Sequence, residues 1–226
     1  FVGGGSSNEA QAQWATVVAG SENVADGKQA FIGGGWRNSV NGRYAVVVGG
    51  GESSAFGQGS TVVNGIRHKA LGTCAFIGGG HTNSASGFAA TVSGGQLNVA
   101  NATLTAVLGG YGNLATVNGA TVTGGTSNQA TSTLSFVGGG TNHRASGEYA
   151  TVVGGLNNVA KGEGSFIGGG DTNAATGQYA TVGGGNDNLG GGDSSCVTGG
   201  EANSALSAGA AIGGGLNNLA SNVYAF

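Results

Sequence analysis

Residues 149–162 read YATVVGGLNNVAKG and residues 75–87 read AFIGGGHTNSASG, and the two stretches align column for column. Glycine holds one column in both, at Gly155 and Gly80, and recurs there every fifteen residues from Gly5 to Gly215 without a break. A fixed period this short marks a solenoid, whose unit cannot bury its own apolar face and must stack on copies of itself. The 226 residues hold fifteen units and one further residue, with no linker, charge run or second domain. A single uncapped repeat domain over 1–226 is expected, either entire or as a segment of a longer array.

Slots are numbered from the small residue at Ala15, Ala30, Ala45 and Ser60. Slot 0 is Ala or Ser in every coil except that of Thr105, and slot 2 is Val or Ile throughout, from Val17 and Ile32 to Ile212. Slots 4 and 5 are a Gly pair in nearly every coil, slot 8 is usually Asn, slot 10 usually Ala and slot 12 most often Gly. Small or apolar residues at 0, 2 and 4, and again at 8, 10 and 12, form two runs of period two. Side chains alternate faces along a strand, so each coil should hold two short strands. The Gly pair and slots 12 to 14 supply the turns. A helix needs a 3.6-residue period and would not survive this much glycine. The expected fold class is therefore all-β, a parallel β-solenoid of fifteen 15-residue coils.

Stacked coils rise about 4.8 Å each, so fifteen should make a rod roughly 70 Å long. Its interior is thin, with one Val or Ile, two or three Ala and an Asn per layer. Fixing so much glycine costs roughly 0.5–1 kcal/mol beyond alanine at each site, so the backbone ladder must supply much of the cohesion. The Asn column, from Asn8, Asn23 and Asn38 to Asn218, suits a ladder of amides bonding from coil to coil.

Composition narrows the function classes. Charged residues make up 8% of the chain, the formal charge is −3, and seven Lys and Arg lie scattered, so no nucleic acid partner is expected. No apolar run reaches membrane-span length and no signal peptide is visible, so this segment should not insert into a membrane. The missing initiator methionine fits a processed chain or a piece of a longer one.

The outward slots carry the most information. Slot 1 holds Phe1, Phe31, Phe76, Phe136, Phe166 and Phe226, and Thr16, Thr61, Thr91, Thr121, Thr151 and Thr181. Where slot 1 is Phe, slot 3 is Gly, as at Gly3, Gly33, Gly78, Gly138 and Gly168. Where slot 1 is Thr, slot 3 is more often filled, as by Val18, Val63, Ser93, Thr123 and Val153. Such volume compensation suits a surface packed against something. The expectation is a self-association face. Two other readings stay open: rings folded flat over their own glycine within one chain, and an ice-binding Thr plane, which the large rings would interrupt. Phe1 and Phe226 share a slot and both terminal units are ordinary, which fits a continuing array or head-to-tail stacking into a filament.

Slot 14 gathers Trp14, Tyr44, Tyr149, Tyr179 and Tyr224 as candidate lateral contacts. Asn101 begins the one glycosylation sequon, Asn101-Ala102-Thr103. Cys74 and Cys196 stand about eight coils apart, nearly 40 Å at the stacking rise, so no intrachain disulfide is expected in a straight solenoid. His68 and His143 replace the ladder Asn, and His81 is read as a turn residue. Neither these nor the scattered Asp and Glu are spaced for a metal, and no cofactor or catalytic set is expected. The Gly-rich stretches lack the Lys-Ser/Thr of a phosphate loop and the Asp column of calcium-binding nonapeptides.

The units quoted above, with YAVVVGGGESSAFG at 44–57, resemble the YadA-like head repeats of trimeric autotransporter adhesins. The resemblance covers all fifteen units through the spacing small-x-[VI]-x-G…N-x-A-x-G. It implies a left-handed β-roll, usually trimeric, displayed on a cell surface to bind matrix or other cells. The chain shows no neck, stalk or anchor of that family. The expected function is thus a structural, non-enzymatic, extracellular or cell-surface solenoid that associates with itself into a fibre. The alternative is an adhesin head whose variable slots 6, 7 and 13 meet a matrix or cell-surface ligand.

Overall fold

The computed structural model describes residues 1–226 and contains no helix. Its twenty-nine strands are each two residues long and fall on slots 1–2 and 9–10. Strands of neighbouring coils pair in parallel fifteen residues apart, as Thr16 with Phe31 and Glu9 with Val24, so like slot meets like slot. The chain is a parallel β-solenoid with two short strands per coil.

The chain divides into two units, Phe1–Gly112 and Asn113–Phe226. In the first, one sheet stacks seven strands from Glu9–Ala10 to Val99–Ala100, and the other stacks seven from Thr16–Val17 to Ala106–Val107. In the second, eight strands from Leu114–Ala115 to Leu219–Ala220 face seven from Thr121–Val122 to Ala211–Ile212. The alternation within each strand sets the layering. Slot 2 residues such as Val17 and Ile32, and slot 10 residues such as Ala25 and Val40, are fully buried, and the slot-0 alanines join them. Slots 1 and 9 face outward.

A third ladder runs along slot 6 as single-residue parallel bridges, Ser21 to Trp36, Trp36 to Gly51 and Gly51 to Ile66 among them. His81, read as a turn residue, belongs to this ladder between Ile66 and Gln96. The backbone there is paired while the side chains point out.

Three corners per coil need a left-handed or related backbone. The glycine at slot 5 is one: Gly50 has φ +92°, and a Cβ on it would stand 2.1 Å from the carbonyl oxygen of Gly65 in the next coil. Both the dihedral and the approach of the next coil exclude a side chain, which accounts for the unbroken column. The other two corners, slots 7 and 14, take φ between 51° and 70°, and positive φ persists even where the residue is Trp14, Arg37 or Leu104. At slot 7 the turn reverses the peptide. Trp36 N–H donates forward to Gly50 O at 3.0 Å, whereas Arg37 N–H donates back to Ser21 O at 3.0 Å. The hydrogen bonding of the coil therefore runs in both directions along the stack, and each αL corner is held by its neighbours.

The slot-8 amides do more than bond to one another. In Asn83, Oδ1 accepts the N–H of Asn98 at 2.9 Å, while Nδ2 donates to Gly79 O at 2.8 Å and to Gly95 O at 2.9 Å. Asn173 repeats the pattern with Asn188, Gly169 and Gly185. One buried amide thus ties the slot 4–5 corner of its own coil to that of the next. Direct amide-to-amide bonds occur at a few coils, as from Asn203 to Asn188 at 3.1 Å.

Candidate interaction surfaces

Slot 1 sets its interior rings between smaller residues in register. In the first unit Phe31 pairs with Thr16 and Val46, and Phe76 with Thr61 and Thr91. In the second, Phe136 lies between Thr121 and Thr151, and Phe166 between Thr151 and Thr181. Each ring reaches along its own coil. A Cβ on Gly33 would meet Cε1 of Phe31 at 3.4 Å, and the same holds for Gly138 and Phe136 at 3.3 Å. The next coil excludes a side chain there more strongly than the ring does: such a Cβ would stand 2.4 Å from Val48 O at Gly33 and 2.4 Å from Val153 O at Gly138. The rings are not buried: Phe31, Phe76 and Phe166 remain exposed, with Phe136 half-buried. Phe1 and Phe226 are exposed, and the six slot-1 threonines are half-buried.

In the first unit slots 1 and 3 together form a strip. Val18, Phe31, Val48, Val63 and Phe76 come from five successive coils, and each is between 37% and 49% exposed. Phe31 and Phe76 come from slot 1, with Gly at slot 3 of the same coil, and Val18, Val48 and Val63 from slot 3, beside Thr16, Val46 and Thr61.

The slot-14 aromatics Trp14, Tyr44, Tyr149, Tyr179 and Tyr224 are all exposed, and several rest on a neighbour. The Tyr179 ring lies over Gly164 and the Tyr224 ring over Gly209, the slot-14 glycines of the preceding coils. The Lys28 ammonium stands 4.9 Å from the Trp14 ring centroid, and the Arg43 guanidinium 4.6 Å from that of Tyr44. Glu148, through its charge, holds the Tyr149 phenol above the ordinary tyrosine range.

Slots 6 and 7 carry a feature that column-by-column reading missed. Slot 7 runs Glu22, Arg37, Glu52, Arg67 in four successive coils, alternating in sign. Arg37 Nε stands 2.5 Å from Glu22, and Arg67 Nε 2.6 Å from Glu52. The bond from Arg37 holds the Glu22 carboxyl below the usual carboxylate range. Beside this ladder slot 6 presents Trp36, Gly51 and Ile66, and the missing side chain at Gly51 opens a notch of about 640 Å³. Trp36, Ile66, Glu52, Arg67 and Asn64 wall it, over a glycine floor. The Arg37 guanidinium stacks 4.6 Å from the Trp36 ring centroid. Alternating charge at a fifteen-residue offset was the signal that could have revealed it.

The remaining polar groups are dispersed. Cys74 is exposed and Cys196 half-buried, both as free thiols. His68 and His143 are buried in the Asn column, and Asn101 is exposed in slot 11. No three His, Cys, Asp or Glu side chains group to hold a metal ion, and no helix is long and apolar enough to cross a membrane. Compared with protein-family models and with curated proteins, the chain matches none.

Proposed function

We propose that this chain is a structural, non-enzymatic β-solenoid that associates with copies of itself through the slot-1 and slot-3 strip, building an extracellular or cell-surface fibre. The observation that carries this reading is the strip from Val18 to Phe76, one exposed apolar side chain per coil in five successive coils. A contiguous apolar surface of this kind is an aggregation liability unless it is covered. Its partner must match a repeat set by the stacking distance of parallel strands, about 4.8 Å. A second copy has that repeat built in, and its smaller slot-1 residues, Thr16, Val46 and Thr61, offer gaps for the rings of the first.

Electron microscopy of the purified chain tests the reading. Unbranched filaments of many chains are the expected outcome. Discrete short particles of one size at every concentration would sink it.

A further inference from the structure

We propose that slots 6 and 7 of the first unit form a two-fold, antiparallel contact with a second copy of this chain, in which Trp36 enters the notch over the partner's Gly51. Such a contact is isologous, with one patch serving both sides. Take an axis lying in the contact plane, across the stacking direction and midway between the coils of Trp36 and Gly51. Rotation about it keeps slot opposite slot and reverses the order of the coils. Trp36 then faces the partner's Gly51 and Ser21 faces the partner's Ile66, so a bulky residue meets a small one at each step. In slot 7, Arg37 faces the partner's Glu52 and Glu22 faces the partner's Arg67. All four charges find an opposite.

The other registers fail. A parallel two-fold arrangement, with its axis along the stack, sets each coil opposite its own copy, so the coil of Trp36 and Arg37 meets no glutamate and no charge faces its opposite. Placing the axis on the coil of Trp36 or of Gly51 again opposes Arg37 with itself or Glu52 with itself. Moving it one coil toward Ser7 sets Glu52 against that serine and leaves Arg67 opposite no coil of residues 1–226, and moving it one coil the other way sets Arg37 against Thr82 and Glu22 against Leu97. Both copies share one stacking distance, so the centred register holds along the whole patch.

The existing ion pairs allow this. Each arginine uses Nε toward its own coil neighbour, and a guanidinium carries further donors in a rigid fork. These pairs are largely exposed, where ion pairs add little to stability. Covered by a partner, the same charges fix register and reject other arrangements. This contact lies on slots 6 and 7, away from the slot-1 strip, and stands independently of the function proposed for that strip.

The test uses the full chain carrying Phe31→Thr and Phe76→Thr, which removes both rings of the strip, and Phe166→Thr, which removes the exposed slot-1 ring of the second unit's interior. Sedimentation velocity over a concentration series should show a reversible dimer. Gly51→Leu fills the notch, and the coil accepts it, since Leu156 and Leu216 occupy the same slot. It should weaken the dimer at least tenfold. Arg37→Glu should do the same by opposing two carboxylates across the axis. Adding Glu52→Arg to Arg37→Glu restores opposite charges between copies while breaking the pairs within each chain, so the dimer should return. A monomer at every concentration in the starting chain overturns the proposal, as does undiminished dimerisation of Gly51→Leu or failure of the double reversal to rescue. Circular dichroism of each variant confirms that the solenoid is folded.

Discussion

The Nδ1 of His68 accepts the backbone N–H of Asn83 at 3.2 Å, the place an asparagine Oδ1 takes in neighbouring coils. His143 does the same for Asn158 at 3.1 Å. An imidazole thus stands in for the ladder amide, but imperfectly: Nε2 of each ring is buried without a hydrogen-bond acceptor in good geometry. Replacing His68 or His143 by Asn should restore the bonds to the slot-4 and slot-5 carbonyls. Each change should raise stability by about 1 kcal/mol, read from chemical denaturation.

The same two rings make stability depend on pH. Burial pushes the pKa of both below the ordinary histidine value, partly offset by the carbonyls of Gly80 and Gly155. The unfolded chain therefore takes up protons more readily than the folded one. The contribution is present above the unfolded histidine pKa of about 6.5 and is lost as pH falls through the lower folded value. Protonation also turns Nδ1 into a donor facing the N–H of Asn83 or Asn158. Melting temperature should fall from pH 7 to pH 5, and the variant with both histidines changed to Asn should lose most of that slope.

The glycine pair divides into a required and a tolerant member. Gly50→Ala places a Cβ against Gly65 O in a positive-φ corner and should cost about 3 kcal/mol or more. Gly49→Ala meets nothing within 4 Å and should stay within about 0.5 kcal/mol of wild type. Equal costs for the two would contradict the corner geometry.

Alanine at the αL corners should behave in the opposite sense. Ala89 has φ 51° and Ala202 has φ 54°. An L residue pays roughly 1–2 kcal/mol there, against which glycine's extra chain entropy costs about 0.5–1 kcal/mol. Ala89→Gly and Ala202→Gly should each be neutral or stabilising by up to about 1 kcal/mol in a thermal melt. This is the reverse of the usual glycine penalty.

Slot 0 offers a matched comparison of hydroxyls. Ser60, Ser165 and Ser195 bury an Oγ that makes no hydrogen bond, whereas the Oγ of Ser135 donates to Ser132 O at 2.7 Å. Alanine should stabilise the first three sites by about 1 kcal/mol each and leave Ser135 neutral or weaker.

Much of this fold was legible in the sequence because one layer repeats. The Val/Ile column, the Ala columns and the Asn column each report the same buried environment in coil after coil, and the period-two spacing gave both strands. The slot-6 ladder left no such mark: it pairs backbone only, and its side chains range from Ser21 to Trp36 to Gly51. The αL corners were hidden for a related reason. Trp14, Tyr44 and Leu104 are poor markers of positive φ, and only the scattered Gly59, Gly119, Gly164 and Gly209 in slot 14, with Gly112, Asn142, Asn157 and Asn217 in slot 7, pointed to it. The tie between Phe31 and Gly33 was visible as a correlation, but its direction was not. The ring covers its own coil's glycine and still leaves an exposed edge.

Light scattering of the intact chain over a concentration series, beside the Phe31→Thr, Phe76→Thr, Phe166→Thr variant, tests the self-association most directly. Threonine occupies slot 1 in six coils already, so the variant should keep the solenoid. The wild-type chain should grow in mass with concentration well beyond a pair of chains, and the variant should stop at a pair. A wild-type chain that stays at the mass of one molecule throughout, or a variant that assembles as the wild type does, would contradict the assignment of the slot-1 strip as the assembly face.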